Sequence, residues 1–153
     1  MEPQYDKELR TLSIISIGFI VQGSISGILF YFLAQQNTPQ PELAQLISPV
    51  FFLVSLVSVT GLMFLAQRRL NAVARQADLL GKLREYRSIV ILRMVGFVSS
   101  YLLMLVGYYL TRSTGFLLGY FVAFAGMFWV RGSLTQFEQV AQLTPEERKA
   151  LDL

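Results

Sequence analysis

Residues 44–66 read AQLISPVFFLVSLVSVTGLMFLA, a stretch without one ionisable side chain, and residues 67–69, Gln-Arg-Arg, end it abruptly. About 20 apolar residues in a helix cross a hydrocarbon core about 30 Å thick. Inside that core each backbone group must find its partner within the protein, so a run of this length reads as a spanning α-helix. Working outward, residues 12–34 and 89–110 repeat the pattern, and residues 116–130 form a shorter run that reaches spanning length only with its flanks. Arg93 is the single ionised residue in all four runs.

Composition agrees. Hydrophobic residues make up 54% of the 153, charged residues 15%, and the mean hydropathy is +0.50. A water-soluble domain carries about 25% charge, so this chain has too few polar groups to cover a water-facing surface. The sequence predicts an all-α integral membrane four-helix bundle, as a single membrane domain. Its spans fall at about 12–34, 44–66, 89–110 and 115–131, with a loop at 67–88 and a tail at 132–153. The first run is too long for the apolar core of a secretory leader. Its flank mixes Glu2, Asp6 and Glu8 with Lys7 and Arg10, and no clear A-x-A site follows, so it is expected to be retained.

Orientation follows from the basic residues, which mark the cytoplasmic side of short loops. Of 13 Lys and Arg, only Arg112 falls in the loops at 35–43 and 111–115. Lys7, Arg10, Arg68, Arg69, Arg75, Lys82, Arg84, Arg87, Arg93, Arg131, Arg148 and Lys149 fall toward the other side. Both termini are therefore expected in the cytoplasm. The basic excess serves orientation and contact with anionic lipid, and no nucleic-acid partner is needed to explain it. Asn37-Thr38-Pro39-Gln40-Pro41 and Ser113-Thr114-Gly115 cannot continue a helix. Such short connections predict two antiparallel hairpins. Trp129 with Arg131, and Tyr108 with Tyr109, stand where interfacial anchors belong.

The segment QRRLNAVARQADLLGKLREY, residues 67–86, carries Leu70, Val73, Ala77, Leu80 and Leu83 at three- and four-residue steps. This is an amphipathic helical pattern, with a break expected near Gly81 and the next helix starting at Lys82. It is either a pair of helix extensions packed on each other or a docking surface for a partner. In the tail, Thr144-Pro145-Glu146-Glu147 has the form of a capping box with proline at the first helical position. A short helix to about Leu151 should follow, with Ala150, Leu151 and Leu153 as its apolar residues.

Helices in lipid pack through small residues and buried polar contacts. Gly23 and Gly27, Gly96 with Ser100, and Gly115 and Gly119 continued by Ala123 each stand four residues apart, and Ser48, Ser55 and Ser58 share one side. They are expected to pack helices within the bundle or between copies. Counting from the helix ends, Gln22, Ser55, Ser99 and Ser100 all fall near mid-depth. An amide unsatisfied in hydrocarbon costs several kcal/mol, so Gln22 is expected to face inward and bond one of the serines. That midplane polar layer is either a structural clasp or the lining of a path for a polar substrate. Arg93, a turn inside its span, is expected to reach the cytoplasmic interface or to pair with Glu85 or Glu138. Ile17-Gly18-Phe19-Ile20 and Val95-Gly96-Phe97-Val98, each with a tyrosine following at Tyr31 and Tyr109, hint at an internal repeat.

The absences narrow function. With no cysteine and no histidine, thiol redox chemistry, the usual zinc sites and a Ser-His-Asp triad have no residues to build them. No Asp or Glu lies in any span, which argues against carboxylate-coupled transport. No phosphate loop is present. A non-enzymatic accessory or scaffold subunit without a cofactor is expected, with a membrane-protein partner or further copies of itself. The alternative is a small oligomeric channel or facilitator using the midplane layer.

Lys82-Leu83-Arg84-Glu85-Tyr86-Arg87, then Ile91-Leu92-Arg93, Arg131 and Leu143-Thr144-Pro145-Glu146-Glu147 are similar to uncharacterised four-helix inner-membrane proteins of Bacteroidota. The shared pattern is K-L-x-x-Y-R at the start of the third helix, an arginine six residues after that arginine, and an L-[ST]-P-E-E tail. It covers the second half of the chain. Members tend to carry a glutamate a few residues beyond the position of Arg93, where this chain has Val98 or a neighbour. The resemblance implies fold and topology and no activity.

Overall fold

The computed structural model describes residues 3–151 and is all-helical. Helix α1 spans Pro3–Gln36, α2 Pro41–Ala74, α3 Leu79–Thr111, α4 Thr114–Val130, α5 Leu134–Ala141 and α6 Pro145–Ala150. At 1.5 Å per residue, 33 or 34 residues extend about 50 Å. Each of the first three therefore exceeds the hydrocarbon thickness and carries its apolar run as part of a longer rod. These three are long and apolar enough to cross a membrane. The 17-residue α4 makes a fourth if it and α5, bent from it by 63°, count as one broken span.

The packing centres on α3, against which α1, α2 and α4 all lie, while α1 also touches α4. Burial shows the difference. Of the most apolar window of each helix, 44% is buried in α3 but only 17% in α1 and 11% in α2. Ile14, Ile25, Leu53 and Val57, for example, keep more than half their surface exposed. The core is a column along α3, from Leu83, Tyr86 and Ile89 through Met94 and Tyr101 to Met104 and Leu105, joined by Phe116, Tyr120 and Met127 of α4. Tyr108 belongs to this interior rather than to an interfacial belt, because it is 7% exposed and stacks on Tyr31, ring centroids 6.3 Å apart. Trp129, in contrast, is 85% exposed.

Two boundaries differ from the expected ones. The break between the second and third helices lies at residues 75–78, not at Gly81. Asp78 is the reason: it takes an extended conformation and accepts from the Gly81 N–H at 3.1 Å, so it caps α3 and draws the start back to Leu79. Gly81 sits inside the first turn, where a Cβ would lie 2.7 Å from the Asp78 carboxylate. The tail bends at Gln142, in the left-handed region at φ 48°, and restarts at α6. There Thr144 and Glu147 form the expected capping box. Phe137, Ala141, Leu143 and Leu151 are buried, so the tail packs on the bundle. Leu153 and the side chain of Ala150 lie outside the described residues.

The paired glycines work mainly as sockets for aromatic rings rather than as points of bare backbone contact. Opposite Gly23 and Gly27 of α1 lie Phe124 and Tyr120 of α4, and the Tyr120 hydroxyl donates to the Gly23 carbonyl at 3.2 Å. A Cβ on Gly23 would stand 2.7 Å from Phe124, and one on Gly27 would collide with the Tyr120 phenol. Gly96 admits Leu62 and Val59 of α2, and Gly119 admits Met104 and Phe52. Gly115 departs from the expectation: it is exposed in the first turn of α4 and meets only its neighbour Ser113, too near the helix end to face another helix. Gly18 has open space around it while its supposed repeat partner Gly96 is packed, so the two motifs are not used alike. Gly27→Leu is expected to lower stability by about 2 kcal/mol through overpacking, whereas Gly18→Leu should be near neutral. Thermal unfolding in detergent micelles checks both.

Candidate functional site

Three polar groupings stand out, one at each end of the bundle and one at mid-depth. At the end holding the break and the tail, charges assemble from four helices. Glu8 of α1 pairs with Arg87 at 2.5 Å and reaches Arg84 at 3.5 Å, both on α3. Lys82, one turn into α3, donates to both carboxylate oxygens of Glu147 at 2.9 Å. The side chains of this pair are 7% and 16% exposed, so it is largely out of water. Arg148 pairs with Glu138 at 3.2 Å, clipping α6 to α5. Tyr86 donates to the Ser133 carbonyl at 3.2 Å and packs on Phe137. Burial pushes the Glu147 carboxyl up, but the hydrogen bonds from Lys82 and Thr144 and the Lys82 charge outweigh it and hold the group below its ordinary value.

At the opposite end the one basic residue of the two short loops has a specific task. Arg112 occupies the left-handed region at φ 53° as the C-cap of α3. Its guanidinium donates to the carbonyls of Ala34 at 2.7 Å, Gln35 at 2.7 Å and Asn37 at 2.8 Å. These are carbonyls at the end of α1, which has no basic residue in its own last turn. The arginine therefore supplies both the donors and the positive charge that a helix C-terminus favours. Asn37 returns a bond to the Tyr109 carbonyl at 3.1 Å, and the Gln40 N–H donates to the Leu110 carbonyl at 3.1 Å.

At mid-depth the four expected members are level with one another but do not meet. Gln22 is exposed on the outer face of α1, so the expected inward clasp is absent. Its neighbour Gly23 takes the inward position, because the socket for Phe124 requires a residue without a side chain there. Ser99 is also exposed and bonds its own helix, at the Val95 carbonyl. Ser55 and Ser100 are buried, at 6% and 5% exposure, and line one groove between α2 and α4 with α3 as its floor. The Ser55 hydroxyl has no hydrogen-bond partner.

Arg93 forms no ion pair with Glu85 or Glu138. It is half-buried, its Nε has no partner, and the tail acids are engaged by Arg148 and Lys82 instead. Its helical position places it on the face of α3 shared by Tyr86 and Phe97. Sequence reasoning passed over Arg112 as a site residue. The signal was present, since a lone arginine directly after one helix and just before another is placed to cap something. Among the described residues no cluster of three metal-ligating side chains occurs. No protein-family model, curated protein or solved structure matches the chain.

Proposed function

We propose that the chain is a multi-pass protein of the bacterial inner membrane, with both termini cytoplasmic, acting as a non-enzymatic accessory or scaffold subunit. The contact surface is the basic end. The observation that carries this is how the charges there are used. The carboxylates of Glu8, Glu138 and Glu147 are taken up by Arg84, Arg87, Arg148 and Lys82. Arg68, Arg69 and Arg75 stay exposed with no carboxylate partner among the described residues. Arg68 lies over the Phe64 ring at 4.3 Å, and Arg69 reaches Ser88 at 3.4 Å. Val73 and Leu83 of the amphipathic stripe are buried in the chain itself, leaving a basic surface suited to an acidic partner at the membrane face. The split of basic residues between the two ends supports the orientation, and the resemblance to Bacteroidota membrane proteins points the same way.

Topology has a direct test, because the chain has no cysteine. Thr38→Cys is expected to react with an impermeant maleimide from outside the cell, and Gln76→Cys only after permeabilisation. The reverse pattern rejects the orientation. For function, tagged full-length protein should co-purify with a membrane partner in fixed ratio, and Arg68→Glu with Arg69→Glu and Arg75→Glu should lose it. Retention by the triple variant would remove the basic surface from the reading. The channel alternative draws less support, since Gln22 lies apart from the serines and the groove beside Ser55 is walled by Phe52, Leu56, Val59 and Val122.

A further inference from the structure

Ser55 and Gln22 pose complementary problems. The helix hydroxyls of Ser24, Thr60, Ser99 and Thr111 each bond the carbonyl four residues back. The Ser55 hydroxyl, buried at 6% exposure, does not, and among the helix serines it shares this with Ser16. It lines an apolar groove whose other wall carries Gly119 and Ala123 of α4, with Met104 and Phe52 of the same chain already seated against Gly119. The groove encloses about 510 Å³. Gln22, with two donors and an acceptor, stands exposed at the same level on α1. If the chain spans a membrane, as proposed above, that amide faces hydrocarbon, where an unsatisfied amide costs several kcal/mol.

The level is set by contacts. Gly23 lies against Tyr101 of α3, so Gln22 is level with Ser100. Gly96 lies against Val59 and Leu62, while Met104 and Phe52 meet at Gly119. Between these two points Ser55 falls within about one residue of Ser100, about 1.5 Å along the axis. Copies related by rotation about the membrane normal keep every residue at its own depth. Residues paired across such an interface must therefore be level, and Gln22 and Ser55 are. They cannot meet within one chain, because Gln22 points away from the bundle while Ser55 lines the groove between α2 and α4.

The geometry points to a second copy of this chain as the occupant of the groove: Gln22 of one copy enters between α2 and α4 of the next and hydrogen-bonds Ser55. The contact is heterologous, so in a membrane it generates a closed ring rather than a two-fold dimer. Each copy satisfies one amide and one hydroxyl of its neighbours. Lone interhelical hydrogen bonds in lipid contribute about 1 kcal/mol, a factor of about five in affinity.

The test uses the full chain in liposomes. Protein carrying only Gln22→Cys is mixed with protein carrying only Ser55→Cys and treated with a short thiol-to-thiol cross-linker. Cross-linked dimer is expected in the mixture and in neither sample alone. Ile14→Cys, on α1 but two turns away in depth, should not link to Ser55→Cys. Energy transfer between labelled copies, followed against protein-to-lipid ratio, should weaken about five-fold for Gln22→Leu and for Ser55→Ala, with no further loss when both are combined. Three outcomes overturn the inference: Gln22→Cys linking to itself, which means a symmetric α1 contact; monomers at every ratio, which leaves the groove to lipid chains; and additive losses in the double variant. Resistance of the same protein to alkaline extraction separates these failures from failure of the membrane reading. A chain washed off by alkali never placed Gln22 in hydrocarbon.

Discussion

Glu147→Gln is expected to release the tail from the bundle while leaving the four long helices intact. Glutamine can still reach back to the Thr144 N–H, which Glu147 now satisfies at 2.8 Å, so the capping box survives. What is lost is the charge facing Lys82. The Lys82 side chain, 7% exposed, would be left without its carboxylate. Breaking a buried pair from one side costs about 3–5 kcal/mol, most of it the penalty of the stranded charge. Tail release is read by tryptic cleavage at Arg148 and Lys149, or by faster amide exchange in α5. Lys82→Met combined with Glu147→Gln should recover much of the loss, because the stranded charge is gone. If Glu147→Gln alone leaves cleavage unchanged, the pair does not hold the tail.

The same pair gives a pH dependence of known sign. The folded-state carboxyl of Glu147 is held below its ordinary value of 4.5. Its contribution is therefore complete above that value and is lost as pH falls through the lowered one. Tail docking should persist from neutral pH down to that ordinary value of 4.5 and be lost on further acidification, as the lowered value is passed. The Glu147→Gln protein should not show that step.

Arg112 carries the second large effect. A non-glycine residue in the left-handed region costs roughly 1–2 kcal/mol, and here three charge-assisted hydrogen bonds to the end of α1 offset it. Bonds to a charged donor contribute about 1.5–3 kcal/mol each when buried, and less here because the site is partly exposed. Arg112→Ala keeps the strain and removes the donors, so about 2–4 kcal/mol should be lost. Arg112→Gly removes both, and the difference between the two variants measures the strain. Arg112→Lys offers a point charge without the planar fork and should recover only part. Thermal unfolding in micelles, with local exchange at residues 34–40, reads all three. Equal stability of Arg112→Ala and the parent protein would mean that the guanidinium contributes nothing.

Much of this protein was legible along the chain. The apolar runs predict α1 to α3 because length and the absence of charge are local properties, decided by backbone satisfaction in a medium without water. The capping box at Thr144 and Glu147 was equally readable, since its partners stand three residues apart. The start of α3 was missed by three residues although its cap is local too. Gly81 drew attention as a breaker, while Asp78, which sets the boundary, lay three positions before it.

Facing direction was not legible. In a soluble helix the polar stripe shows which side is outside, but helices that are apolar nearly all round carry no such stripe. Nothing along the chain distinguished the inward side of α1 from the outward one, so Gln22 was expected inside and stands outside. Tyr108 was expected at an interface and is buried against Tyr31. The sequence by itself therefore determined that the chain is built of long apolar helices, where they break to within a few residues, and how the last helix is capped. Only the tertiary structure decided that α3 lies at the centre, that Arg112 caps a different helix, and that the tail is tied down through Lys82. Those outcomes depend on pairs 65 to 78 positions apart, and on shape at the glycine sockets, which no periodicity encodes.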